Sequence, residues 1–183
     1  MFNPIRLVEI LNTLPVELIS VAMLIVALTS LFLFLKFFGQ VGLCVFLALS
    51  VLIGNIQVLK AVKFSFFVDP VALGTVIFSI TYLCTDILTE YFSQQAAKMA
   101  VWISFSSLLF VTFVMLLTMG WAPLDPAMFG QAYDPFREAH HAIKILFLPT
   151  PALFLASLIA YLVSQYTDIL IFQFLKGLFQ DRF

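Results

Sequence analysis

The sequence predicts an all-α protein: a polytopic helical membrane bundle with five transmembrane helices, forming one integral membrane domain over residues 1–183. Three observations predict it. Of the 183 residues, 63% are hydrophobic and 10% charged, where soluble domains carry about 25% charged residues. The mean hydropathy is +1.11. The apolar residues fall into runs of about twenty, the length an α-helix needs to cross the hydrocarbon core. A membrane β-barrel would show short alternating segments instead. The net charge of −1 leaves no basic patch to neutralise phosphates, which excludes a nucleic-acid partner. The partner this composition demands is a lipid bilayer.

Residues 1–15 lack the apolar stretch and small-residue cleavage site of a signal peptide. The first apolar run is therefore expected to act as the insertion signal. It spans 16–35, between Pro15 and Lys36, and its few polar residues make it a scaffold helix. Gly39-Gln40 marks a very short turn. The second span, 41–59, ends near Asn55 and Lys60. Lys60 can snorkel to the interface. Asn55 reads either as a helix–helix hydrogen bond or as part of a site. Asp69-Pro70 has the pattern of a helix start, an Asp cap followed by Pro at the first helical position. It opens the third span at 71–92.

Ser93 to Lys98 is a short polar link. The fourth span covers 99–119, and its hydroxyls Ser104, Ser106, Ser107 and Thr112 are expected to bond within the helix or to a neighbour. Residues 120–144 form the one long loop, which reads as a solvated loop or a short interfacial helix, with Asp134 to Lys144 along the membrane surface. Its adjacent His140 and His141 do not share a helix face, and no metal site is expected. The fifth span, 149–175, begins near Pro149-Thr150-Pro151. Cys44 and Cys84 read as small apolar side chains within the spans.

The third and fifth spans carry the chemistry. Asp86 and Glu90 are four apart, one helical turn above each other on one face, and Ser79 and Tyr82 extend that polar stripe. A central Asp facing lipid costs about 2.5–3.5 kcal/mol. The stripe must face other helices or a wet cavity. In the fifth span, Ser157, Tyr161, Ser164, Gln165 and Asp168 recur at intervals that line one helix face. Thr85-Asp86-Ile87-Leu88 recurs as Thr167-Asp168-Ile169-Leu170, so two spans bring a Thr-Asp pair into the bundle.

These residues resemble a known family. Asn55 … Lys60, followed by Phe78-x-x-Thr81-x-x-x-Thr85-Asp86-x-x-x-Glu90-Tyr91-Phe92-x-x-x-Ala96-Ala97-Lys98, is similar to the queuosine precursor transporter family, earlier described as vitamin uptake transporters. Pro149-x-Pro151 … Ala156-Ser157 … Gln165-x-x-Asp168 … Phe172 … Phe174-Leu175-Lys176 resembles that family's fifth helix. The likeness covers roughly residues 50–180. It implies a bacterial inner-membrane protein of six helices. Its implied cargo is a 7-deazaguanine: 7-cyano-7-deazaguanine, its aminomethyl derivative, or queuine, salvaged for queuosine in transfer RNA. Ser93 stands where the family usually has Gly, and Gln94 and Gln95 stand where basic residues are common. The sequence stops before the family's sixth helix, so five spans are expected. The sixth would then be lost, cut off, or supplied by a partner chain or a homo-oligomer.

The cargo chemistry suits the stripes. A 7-deazaguanine shows an amide N–H and an exocyclic amine side by side, and one carboxylate can accept both. Its carbonyl needs a donor, which Asn55 or Gln165 can supply. An aminomethyl substituent is cationic and favours a second acid. Tyr82, Tyr91 and Tyr161 offer faces for stacking. The expected site is Asn55, Tyr82, Asp86, Glu90, Gln165 and Asp168 around one midplane position. Alternatively, one acid carries a proton, or an acid pairs with Lys60, Lys98 or Lys176 to hold helix register. No cofactor is expected. The spans hold no Ser/His or His-x-x-x-His arrangement, so an enzyme is not expected either. The chain has no nucleotide-binding Gly-x-x-x-x-Gly-Lys loop, so any ATP dependence is expected to come from a partner. The competing function is an accessory or truncated, non-transporting subunit of the same family. The five-span count favours it, and retention of both acidic stripes disfavours it.

Overall fold

The chain enters its first helix through a side-chain cap. The Asn3 Oδ1 accepts the backbone N–H of Ile5 at 3.1 Å and of Arg6 at 3.4 Å, satisfying donors that a helix start leaves open. The computed structural model describes residues 3–125, 133–148 and 151–180. Pro149 and Thr150 of the fifth-helix pattern lie outside them. The elements, in order, are α1 (Pro4–Asn12), α2 (Val16–Gln57), β1 (Ala61–Val62), β2 (Val71–Ala72), α3 (Thr75–Tyr91), α4 (Gln94–Met119), α5 (Asp134–Phe147) and α6 (Pro151–Gln180). In α1, Arg6, Glu9 and Asn12 share one face, Leu7, Val8, Ile10 and Leu11 the other, and no residue is buried. That is the pattern of a helix lying in the membrane interface.

Element α2 is 42 residues long. Straight, it would measure about 63 Å, twice the roughly 30 Å hydrocarbon core. It is not straight. Gly39 takes φ 57° and ψ −136°, a conformation open to glycine alone, and the helix folds back on itself there. Gln57 Nε2 consequently lies 3.5 Å from Met23 Sδ, 34 residues earlier. The rings of Phe34 and Phe46 stand 5.8 Å apart. Leu31 of one arm shares a buried cluster with Leu43 and Leu47 of the other. The arms meet so closely that a Cβ on Gly42 would lie 2.2 Å from the Phe34 carbonyl oxygen.

The expected span count is corrected by these elements. Among the described residues three helices are long and apolar enough to cross a membrane: Val16–Gln57, Gln94–Met119 and Ala156–Leu178. Five were expected. The spans expected at 16–35 and 41–59 are the two arms of α2, counted together among those three helices because Gly39 joins them by a one-residue break with no loop. The span expected at 71–92 is a helix of 17 residues, short of the roughly 20 that crossing needs. Asp69-Pro70 does not start it. Val71 and Ala72 pair instead with Val62 and Ala61 in a small antiparallel ladder. The Leu73 N–H donates to the Lys60 carbonyl at 2.9 Å, and the helix begins only at Thr75. Nor does the helix count support a missing sixth. The described residues hold six α-helices of all lengths, because the sequence assigned no helix to α1 and only a surface segment to α5.

The core lies where α2, α3 and α4 meet, around Leu43, Leu47, Ile80, Cys84, Leu88 and Val101, with Ile169 of α6 closing it. Ala96, Ala97 and Ala100 are 4%, 0% and 0% exposed, and such small residues let membrane helices approach closely. Ser93, the departure from the family's Gly, caps α4 by accepting the Ala96 N–H at 3.0 Å. Cys44 and Cys84 are buried and free, as read from sequence. Large apolar side chains such as Phe37, Phe110, Phe113 and Phe174 point outward, a surface made for lipid. The amphipathic α5 buries no residue, in keeping with a place along the membrane surface.

Candidate functional site

Helix α3 buries a ladder of hydroxyls. Thr81, Thr85 and Thr89 recur every four residues and are 0%, 0% and 7% exposed. Each bonds back to its own helix: Thr81 to the Phe78 carbonyl at 2.6 Å, Thr85 to that of Tyr82 at 2.9 Å, and Thr89 to that of Thr85 at 2.8 Å. A buried hydroxyl in an apolar bundle needs such a partner. Gln165 of α6, only 1% exposed, lies against this ladder. Its Nε2 donates to Thr81 Oγ1 at 2.9 Å. Thr85 Oγ1 is 3.3 Å from Gln165 Oε1 and 3.4 Å from Asp168 Oδ2. Thr85 has one proton for these acceptors and the nearer Tyr82 carbonyl, so the firm link from Gln165 is the one to Thr81.

Hydroxyls continue the seam on both sides. Tyr82 OH and Ser164 Oγ are 2.5 Å apart between α3 and α6. Tyr161 OH and Ser104 Oγ are 2.6 Å apart between α6 and α4. Interhelical hydrogen bonds of this kind contribute about 0.6–2 kcal/mol each in a membrane.

Two cavities open beside the seam. The first, about 280 Å³, is bordered by Asn55, Phe78, Tyr82, Tyr161, Ser164 and Gln165. The second, about 220 Å³, shares Asn55, Val58, Leu108 and Ser157 with it and extends past Leu52 to Leu146 and Phe147 of α5. Each approaches the roughly 300 Å³ at which small-molecule sites begin. The backbone makes the room. A Cβ on Gly74 would lie 2.8 Å from the Gly54 carbonyl oxygen, and one on Gly54 would lie 3.0 Å from the Phe78 ring. Only glycines allow the end of α2 and the start of α3 to meet this closely, and that meeting sets Asn55 beside Phe78.

Of the six residues expected in one site, Asn55, Tyr82 and Gln165 line the first cavity. Asp86 is half-buried on α3, within electrostatic reach of Asp168, and borders neither cavity. Asp168 stands beside Thr85. Glu90 is exposed and ion-paired with Lys176 of α6 at 2.8 Å, one of the three lysine pairings that the sequence offered. Glu90→Gln should lower stability by less than about 1 kcal/mol, since a pair this exposed contributes little. Thermal unfolding of the purified protein checks this. A larger loss would mean that the pair is shielded from solvent.

Sequence reasoning passed over Thr81, Thr85 and Thr89 as a functional face, although Thr-x-x-x-Thr-x-x-x-Thr was legible as one. Ser104 bonds as expected both within its helix, to the Val101 carbonyl, and across to a neighbour, Tyr161 at the cavity edge.

The fold and its cavities define a multi-pass helical membrane protein with a polar pocket between helices. The family model described as "Putative vitamin uptake transporter" matches residues 72–183, more than half of the chain, and the chain belongs to that family. The "Probable queuosine precursor transporter" of Bacillus subtilis (strain 168) is 31% identical over 151 residues, which cover 82% of this chain and 61% of that relative. The family resemblance read from the sequence is thereby borne out, and a non-enzymatic function is consistent with membership of a transporter family. Asn55 lies outside the stretch matched by the family model. No solved structure matches the chain.

Proposed function

We propose that this chain imports a queuosine precursor across the bacterial inner membrane for salvage into transfer RNA. The cargo is 7-cyano-7-deazaguanine, 7-aminomethyl-7-deazaguanine or queuine. The supporting observation is the cavity bordered by Asn55, Tyr82 and Gln165 in a chain whose relative is named a queuosine precursor transporter. In this reading the Asn55 amide meets the lactam edge of the bicycle, being both donor and acceptor. The Tyr82 ring stacks on its face. Gln165 is held in one orientation by Thr81. Asp86 and Asp168 form an acidic pair flanking the site, and Glu90 with Lys176 ties α3 to α6.

A rescue assay tests the proposal. The host is a bacterium that can neither make nor import 7-deazaguanines. It expresses this chain and receives each precursor at low concentration, and queuosine is then measured in its transfer RNA. Restored queuosine is the expected result. No restoration from a stably inserted protein points instead to a non-transporting subunit. In the same assay Asp86→Ala is expected to abolish uptake while the protein stays in the membrane. Undiminished uptake by a well-expressed variant would mean that the flanking acidic pair has no part in transport.

A further inference from the structure

The second cavity faces outward. It is walled mainly by aliphatic and aromatic side chains, among them Leu52, Val111, Leu146 and Phe147. Ile56, Val58 and Leu59, which also line it, are exposed. It therefore opens on the outer surface of the bundle, where Phe110 and Phe113 of α4 point outward as well. That surface lies against lipid. An apolar crevice there gives water too few hydrogen-bond partners, whereas a hydrocarbon chain gains dispersion contacts along its whole length.

Cations stand at the opening. Lys60 follows Leu59 at the end of α2, and its carbonyl is held by the Leu73 N–H at 2.9 Å. Lys144 lies one helical turn before Phe147 on α5. Leu59 and Phe147 line the same cavity, so the two lysines flank it. Both are exposed, and neither has an ion-pair partner among the described residues. The face of α5 that carries Lys144 continues back through His141 to Arg137. Arg137 pairs with Asp134 of its own helix, yet its Nη1 is buried with no hydrogen-bond partner. Glu138 is turned about 120° around the helix from Lys144. The cationic line of α5 thus runs toward the cavity with its last member free.

We infer that the second cavity holds one acyl chain of an anionic phospholipid, with the headgroup between Lys60 and Lys144. The apolar walls take the chain, and the two ammonium groups take the phosphate through charge-assisted hydrogen bonds. A zwitterionic lipid offers the same chain but brings its own cation to the lysines, and gains less. The occupant is distinct from any cargo of the first cavity, and the inference stands whatever that cargo is.

The purified full chain tests this. It is equilibrated in detergent with an equal mixture of phosphatidylglycerol and phosphatidylcholine and washed, and native mass spectrometry reads the lipid that stays bound. Retained lipid should be enriched in phosphatidylglycerol by about tenfold or more. Lys60→Gln and Lys144→Gln, both at exposed positions, should each lower that enrichment about fivefold. Leu59→Trp narrows the opening and should lose the retained lipid with both lysines still in place. Glycerol phosphate carries the headgroup charge without a chain and should not displace the lipid. Equal retention of the two lipids, no retained lipid at all, or an enrichment unmoved by both lysine variants overturns the inference. So does full retention by a folded Leu59→Trp protein, and displacement by glycerol phosphate would reduce the site to one for a free anion. If Leu59→Trp does not fold, the lysine variants decide.

Discussion

Gly42→Ala is expected to open the helical hairpin that begins the bundle. The added Cβ would sit 2.2 Å from the Phe34 carbonyl oxygen and 2.8 Å from its carbon. Both are backbone atoms, so no rotamer change relieves the contact. The arms must separate, and Leu31, Leu43 and Leu47, all 0% exposed, lose their fit. Overpacking of this kind costs about 1–3 kcal/mol or more, and the upper end is expected here.

Gly39→Ala provides the comparison. Its Cβ would meet nothing within 4 Å, so its cost is the backbone conformation alone, about 1–3 kcal/mol. Unfolding of both variants in detergent should rank Gly42→Ala as the more damaging. The reverse order would mean that the turn, and not the close approach of the arms, limits the hairpin. A Gly42→Ala protein as stable as the parent would contradict the packing of the arms.

Gln165→Ala is expected to damage both stability and uptake. Gln165 is the only amide that is fully buried among the described residues, and its Nε2–Thr81 bond of 2.9 Å joins α6 to α3. Truncation removes that bond and leaves a void continuous with the first cavity. The loss should be about 2–3 kcal/mol from the void and the bond together. Thr81→Val deletes the same bond with little change of volume and should cost about 1 kcal/mol. A double-mutant cycle between the two positions should show coupling of about 0.5–1.5 kcal/mol. Additive losses would mean that the amide and the hydroxyl do not act as a pair. Uptake should fall with Gln165→Ala even at temperatures where the variant remains folded. Full uptake by that folded variant would take Gln165 out of the cargo site.

The α6 stripe was legible in the sequence because its polar face and its buried face coincide. Tyr161, Gln165 and Asp168 fall at helical spacing, and the structure turns that face inward, with Gln165 and Ile169 nearly inaccessible. On α3 the two faces do not coincide. The acids Asp86 and Glu90 follow one line, and the threonines Thr81, Thr85 and Thr89 follow a line one residue over, about 100° around the helix. Periodicity shows both lines. Charge drew attention to the acids, yet the threonines lie against the partner helix. A carboxylate needs solvent or a counter-ion, and Glu90 finds Lys176 at the rim. A threonine satisfies its hydroxyl on its own helix and can be buried completely.

The span count was misread for a similar reason. Hydropathy reports that a segment is apolar. It does not report where a helix starts, and a two-residue ladder at Val71–Ala72 took the first turn of the expected third span. By itself, the sequence determined the solvent of this protein, the family motif and the polar face of α6. These follow from transfer free energies and spacings that each segment carries without its neighbours. Only the tertiary structure decided the fold-back at Gly39, the buried face of α3, and which residues share a cavity. Those depend on how closely two helices can approach, and that distance is a property of the pair.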